Sequence, residues 1–204
     1  MVLRPTVEKK EEKERVRTGL LRAALRLAAA HGFASLGLRE VAREGGIAPT
    51  SFYRHFADME ELGIALIGEL AGQVMRELGE RALSAAPAEV VPAVSDTMFT
   101  LAAKDPELMR FIAAEQVGAF ARFRALLRGD RTAFARTLHA AVRGEPLAPA
   151  APAPAGAEAA VSLLFDAAIR ALDEPPDRLE SVRDALMWAM WQLLELGATS
   201  PRPK

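Results

Sequence analysis

The chain of 204 residues contains no cysteine. That removes any disulfide framework and any zinc or iron–sulfur site ligated through thiolates, and it fits a reducing compartment. Long apolar runs are missing too: none approaches the ~20 residues of a membrane-spanning helix. The opening MVLRPTVEKKEEKERVR has no apolar core of the signal-peptide kind. The expectation is a cytoplasmic protein with no membrane partner. Histidines number three, on separate helical segments, and none stands at a metal-ligating spacing. His139, in RTLHAAV, reads as a core-edge residue. Nor does the sequence contain a Gly-rich phosphate loop, a nucleophile elbow or a suggestive carboxylate pair. An enzyme is therefore not expected, nor a metal or cofactor. Strand-like alternation of useful length is absent as well, which leaves an all-α chain.

What is present is ordinary in amount and uneven in placement. With 50% hydrophobic and 26% charged residues the chain can bury a sizeable core. The net charge of -1 conceals an asymmetry, because 11 Lys and Arg face 7 Asp and Glu through Asp58, whereas the remainder holds 15 against 20. Only the N-terminal part offers a footprint for a polyanion. At helical spacing Lys9, Lys13 and Arg17, with Lys10 beside them, share an arc that continues as Leu20, Ala24, Leu27 and Ala28. The apolar end packs and the basic end overhangs. Two readings of that overhang stand, a phosphate-binding edge or a solvated extension with local pairs such as Glu11 with Arg15.

Around residue 45 the pattern turns specific. A first helix is predicted from about Lys9 to His31, closing on Gly32 with His31 against the helix dipole. A second runs from Leu38, with Leu38, Val41 and Ala42 inward and Arg39 and Arg43 outward, and stops at Gly45. Pro49 opens a third, to about His55, because its missing N–H has no helical partner to lose at the first turn. Phe52 and Phe56 then point inward, leaving Thr50, Ser51, Tyr53, Arg54 and His55 outside. Two short helices across a tight Gly turn, backed by a long helix, form a helix-turn-helix whose last helix fits a major groove. Hydroxyls and a tyrosine suit phosphates and thymine methyls, and arginine suits guanine. By this reasoning Arg54 reads a base and Arg39 meets a phosphate. A plain helical hairpin with a polar face is the alternative.

The stretch FASLGLREVAREGGIAPTSFYRHFADMEEL resembles the DNA-binding segment of the TetR family of bacterial repressors, with Leu38, Val41, Ala42, Gly46, Ile47, Tyr53, His55, Phe56 and Leu62 at the family's usual positions. The resemblance implies DNA contacts by Thr50, Ser51, Tyr53 and His55, in a helix opened by Pro49, with Tyr53 and His55 on the backbone. It also implies a homodimer on a palindromic double-stranded operator. One departure is Met59, where many members have a phosphate-binding lysine. LREVAREGGIAPTSFYRHF with MEELG is similar to the FabR and DesT type, which implies a long-chain acyl-CoA effector and control of fatty-acid metabolism. Competing readings are a repressor of an efflux or other gene answering a generic hydrophobic ligand, and a helical scaffold for another protein.

A DNA-binding domain is thus expected over 1–57 and a ligand-binding and dimerisation domain over 58–204, about nine helices in all. Helices are expected near 58–84, 87–103, 105–117, 119–143, 157–173 and 176–197, and an Ala/Pro-rich loop over 144–157. Met98, Phe99, Met109, Phe111, Phe120 and Phe123 are candidates to line an apolar effector cavity, with Arg110 and Arg124 at its head group. The last helix has one apolar face through Val182, Leu186, Met190 and Leu193 and a second through Ala185, Trp188 and Trp191. Two apolar faces call for two partners, so the last two helices are expected to meet their copies in a four-helix bundle. Leu164, Phe165, Ala168, Leu186, Met190 and Leu193 are the expected interface.

Overall fold

The computed structural model describes residues 4–148 and 151–196. Helix α1 (Arg4–His31) leads through a 3-10 turn, Phe33–Ser35, to α2 (Leu38–Glu44) and α3 (Pro49–Phe52). Helix α4 (Met59–Leu66) continues through a π turn, Ile67–Ala71, into α5 (Gly72–Ser84). After a second 3-10 turn come α6 (Val90–Lys104), α7 (Pro106–Glu115), α8 (Ala121–Arg143), α9 (Ala155–Ala171) and α10 (Pro176–Leu196). With α4 and α5 counted as one rod, the described residues form nine rods and no strand. No helix among them is long and apolar enough to cross a membrane.

Boundaries follow local chemistry. Gly32 ends α1 at φ 78, a conformation that costs an L side chain, and Gly144 ends α8 at φ 63. Asp58 caps α4 by accepting from the Glu61 N–H at 2.8 Å, while the Glu61 carboxylate accepts from the Ala57 N–H. Three expected boundaries move. Helix α1 begins at Arg4 rather than Lys9, α3 ends at Phe52 rather than His55, and α9 starts at Ala155, so the Ala/Pro loop is shorter than 144–157. Pro149 and Ala150 of that loop lie outside the described residues.

One apolar core runs from Leu20 in α1 to Leu194 in α10 without a break. The N-terminal helices are joined to the rest by an aromatic cluster in which Phe33 sets its edge against Phe111, Phe120 and Phe123, at centroid distances of 6.0, 5.8 and 5.2 Å. Each such pair contributes about 0.5–1.5 kcal/mol beyond burial. Gly63 lets α4 into this cluster: a Cβ there would stand 2.1 Å from the Phe123 ring. Ion pairs reinforce the joint, with Arg17 on Glu69 of the π turn and Arg22 on Asp105, whose carboxylate also caps α7.

Candidate nucleic-acid interface

The two glycines of EGGIAPTSFYRHF have different tasks. Gly46 adopts φ 70, and the chain reverses there with the Ile47 N–H bonded to the Ala42 carbonyl at 2.9 Å. Gly45 leaves room for α1, because a Cβ would stand 2.9 Å from the Leu20 side chain and 3.2 Å from the Val41 carbonyl. The reversal sets α3 across α2, and Pro49 occupies the first turn of α3. Beyond Phe52 the backbone stays wound, with the His55 and Phe56 N–H groups both bonded to the Phe52 carbonyl at 2.9 and 3.1 Å. Phe52 and Phe56 are buried as their spacing requires. Arg17 covers the Phe56 ring with its guanidinium 5.1 Å from the centroid.

This anchoring turns one surface outward. Arg39, Pro49, Thr50, Tyr53 and Arg54 are exposed, and Ser51 and His55 half-buried. Tyr53 keeps 64% of its surface in solvent although its ring leans edge-on against Phe52. An exposed tyrosine held by an aromatic neighbour offers a pre-positioned hydroxyl. His55 differs from the rest: its Nδ1 is buried without a partner. Burial lowers its pKa, and Lys13, Arg17 and Arg54 lower it further against a weaker opposing effect of Glu14. Both effects favour the neutral ring. Lys9 and Lys13 reach the same place, a cleft between α1 and the helix-turn-helix, and they were not among the expected contacts of the recognition helix. Their one-turn spacing on the basic arc was the available signal.

The expected effector residues occupy the core. Met98, Phe99, Met109, Phe111 and Phe123 are buried, and Phe120, half-buried, stacks on Phe123 at 4.7 Å. Arg110 pairs with Asp173 at 2.8 Å, and Arg124 donates to the Gly118 and Ala119 carbonyls. None of these eight lines the groove of about 470 Å³ that opens between α5 and α8, over Gly68, Gly72 and Gly79 and between Met75 and Phe134. The expected dimer residues lie mostly inside the subunit. Leu164, Phe165, Ala168, Leu186 and Met190 are covered by their own subunit, and Leu193 packs partly against the same core. The other apolar face of α10 is the open one, with Trp188 69% exposed. Missed altogether was Glu115, buried at the end of α7 with an unpartnered Oε2 and its pKa raised by burial. Its carboxylate lies against Gly118, where a Cβ would come within 2.4 Å, but nothing in the local sequence marks it. Among the described residues no group of His, Asp and Glu could hold a metal ion.

Residues 20–66 match the sequence profile of the bacterial regulatory proteins, tetR family. The whole architecture recurs in solved structures of low identity. A TetR family transcription regulator from Marinobacter aquaeolei VT8 superposes with a TM-score of 0.69 at 18% identity, over 88% of this chain and 97% of that one. The fatty acid degradation regulator FadR from Bacillus halodurans gives 0.65 at 15%, over 93% and 97%. FadR from Bacillus subtilis, in complex with stearoyl-CoA, gives 0.59 at 18%, over 91% and 99%. The profile falls on the helix-turn-helix and its flanking helices, which carry the outward surface of Arg39, Thr50, Tyr53 and Arg54. Residues 20–66 thus carry the tetR-family regulatory segment, and the chain over nearly its full length shares the all-helical fold of these solved regulators.

Proposed function

We propose that the protein is a homodimeric repressor that binds a palindromic operator and releases or tightens its grip in response to a hydrophobic effector. The carrying observation is the outward set Arg39, Pro49, Thr50, Ser51, Tyr53, Arg54 and His55, held rigid by Phe52 and Phe56 beneath it. Residues 1–57 serve as the DNA-binding unit and 58–204 as the sensing and dimerising unit. The open face of α9 and α10 supports a dimer: a groove of about 380 Å³ runs between Leu163 and Ala167 on one helix and Val182, Ala185 and Ala189 on the other. Trp188 stands exposed on the same helix. Asp166 and Arg170 flank this groove with opposite charges, which suits a self-complementary two-fold contact.

The effector in this reading is a long-chain acyl thioester. Its support is the likeness of fold to FadR from Bacillus subtilis, solved in complex with stearoyl-CoA, together with the Met- and Phe-rich interior. An acyl chain enters along the groove between α5 and α8 and displaces side chains such as Phe111 and Met109 from their present packing. It shifts operator affinity only by its differential affinity for the two arrangements. A generic hydrophobic effector is the competing reading. Titrating acyl-CoAs of matched length into the protein–operator complex, below micelle formation, tests the choice. No response to any of them refutes the acyl-thioester effector, while specific operator binding by itself upholds the regulator.

A further inference from the structure

We propose that the N-terminal part of α1 and the end of the recognition turn close on a single DNA phosphate, so that Lys9, Lys13, Arg54 and His55 form a clasp beside the base-reading surface. The inference rests on the DNA-binding reading and adds to it a defined partner group and the helix that reaches it.

The cleft between the two walls has a volume of about 480 Å³. Lys9, Glu12 and Lys13 form one wall, and Ser51, Arg54 and His55 the other. Glu12 is already committed to Arg15 on α1. Lys9, Lys13 and Arg54 have no carboxylate partner among the described side chains. Three cations thus converge on one concavity whose one acid among the described lining residues, Glu12, is paired with Arg15. Their mutual repulsion is relieved by an anion between them. The donor set fits a phosphodiester, whose two non-bridging oxygens accept from ammonium, guanidinium and hydroxyl groups together. A buried polar atom without a partner, His55 Nδ1, lies at the same wall and is the kind of group that a ligand or its water completes. Tyr53 and Thr50 on the adjoining outward surface identify the source of the phosphate as duplex backbone rather than a free nucleotide.

Two consequences separate this clasp from a merely solvated helix end. Lys9 and Lys13, one turn apart on α1, contribute to affinity without contributing to sequence preference. Arg54 belongs with them, in place of the base-reading role expected from its exposure alone.

The test compares the full chain with Lys9→Gln/Lys13→Gln and with Arg54→Gln, measuring affinity for a selected operator against salt and the base preference at every position. Loss of one phosphate contact lowers the slope of log affinity against log salt by about 0.9 per copy of the clasp. Both variants should show that fall with preference unchanged and with the thermal midpoint of the parent. A neutral methylphosphonate at the clasped position should weaken the parent more than it weakens either variant, each of which retains only part of the clasp. Unchanged slope and affinity in Lys9→Gln/Lys13→Gln overturn the clasp, as does an altered preference at one operator position in Arg54→Gln, which would put that side chain on a base. Absence of any sequence-specific duplex binding by the parent protein overturns the regulator reading itself and the clasp with it.

Discussion

Replacing Gly63 by alanine should destabilise the protein, although alanine is the better helix former. The new Cβ would stand 2.1 Å from Cζ of Phe123 and 2.7 Å from Cζ of Phe33. Carbon atoms pack at about 3.5–4.0 Å, so the Phe123 ring has to retreat by roughly 1.4 Å or more. It has nowhere to go: the side chain is fully buried, stacked on Phe120 and edge-on to Phe33. Overpacking of this kind costs about 1–3 kcal/mol, and with a backbone this confined the upper part of that range applies; against a helix preference of about 1 kcal/mol for Ala over Gly it leaves a net loss of about 1–2 kcal/mol. For a chain of this size that corresponds to a fall in Tm of about 2–8 °C. Gly79→Ala supplies the control, since nothing lies within 4 Å of its missing Cβ in the middle of α5. It should gain about 0.5–1 kcal/mol. Both are measured by thermal and denaturant unfolding at one fixed protomer concentration, because association would otherwise shift the midpoint. The reasoning fails if Gly63→Ala matches or exceeds the parent while Gly79→Ala gains as stated. A double-mutant cycle with Phe123→Leu should show coupling, because the smaller side chain vacates the space the methyl needs.

Asp58→Ala removes the cap of α4 and should cost about 1 kcal/mol in denaturant unfolding, with Asp58→Asn retaining most of it. A cost near zero for Asp58→Ala would mean that water replaces the cap. His55 makes stability depend on pH in a definite direction. Its folded pKa lies below the ordinary value of about 6.5, so the unfolded chain binds the proton more readily. The contribution is complete above that value and is lost as pH falls through it towards the folded pKa. His55→Gln should flatten this component and leave the share of His139, whose burial lowers its pKa likewise; an unchanged pH profile would refute the assignment. Finally, Ala185→Arg puts a charge into the open α9–α10 groove, and sedimentation should find monomers with greatly reduced affinity for a full operator. Persistence of the dimer would place the interface elsewhere.

The helix-turn-helix was readable because each signal there is local. Two glycines, a proline at a first turn and phenylalanines four apart fix backbone and facing within a few residues. The rod from α4 to α5 was readable as a helix but not as an interrupted one. Its buried stripe, Leu62, Leu66, Ile67, Ala71, Met75, Leu78 and Ala82, keeps helical spacing throughout, so the π turn at Ile67–Ala71 leaves no mark in the sequence pattern. The facing of α10 was hidden for a related reason. Helical periodicity shows that α10 has two apolar faces, yet which of them meets the subunit's own core depends on where α9 and α6 lie, and that is a long-range fact. The same limit applies to Phe111, Phe120 and Phe123. Composition marks them as large and apolar, and only the position of Phe33, far away in sequence, makes them the fastening of one half of the molecule to the other.

Both tryptophans of the chain sit on α10, and its single tyrosine is Tyr53 on the outward surface of the recognition turn. The protein therefore carries two separate optical reporters. Emission excited at the red edge of the absorption band comes from Trp188 and Trp191 alone and follows what covers the last helix, shifting to shorter wavelength when the exposed indole loses its water. Phenol absorption follows what touches the opposite end. An effector that links the two ends would betray itself as a change in the indole signal during titration with DNA, without any label being attached.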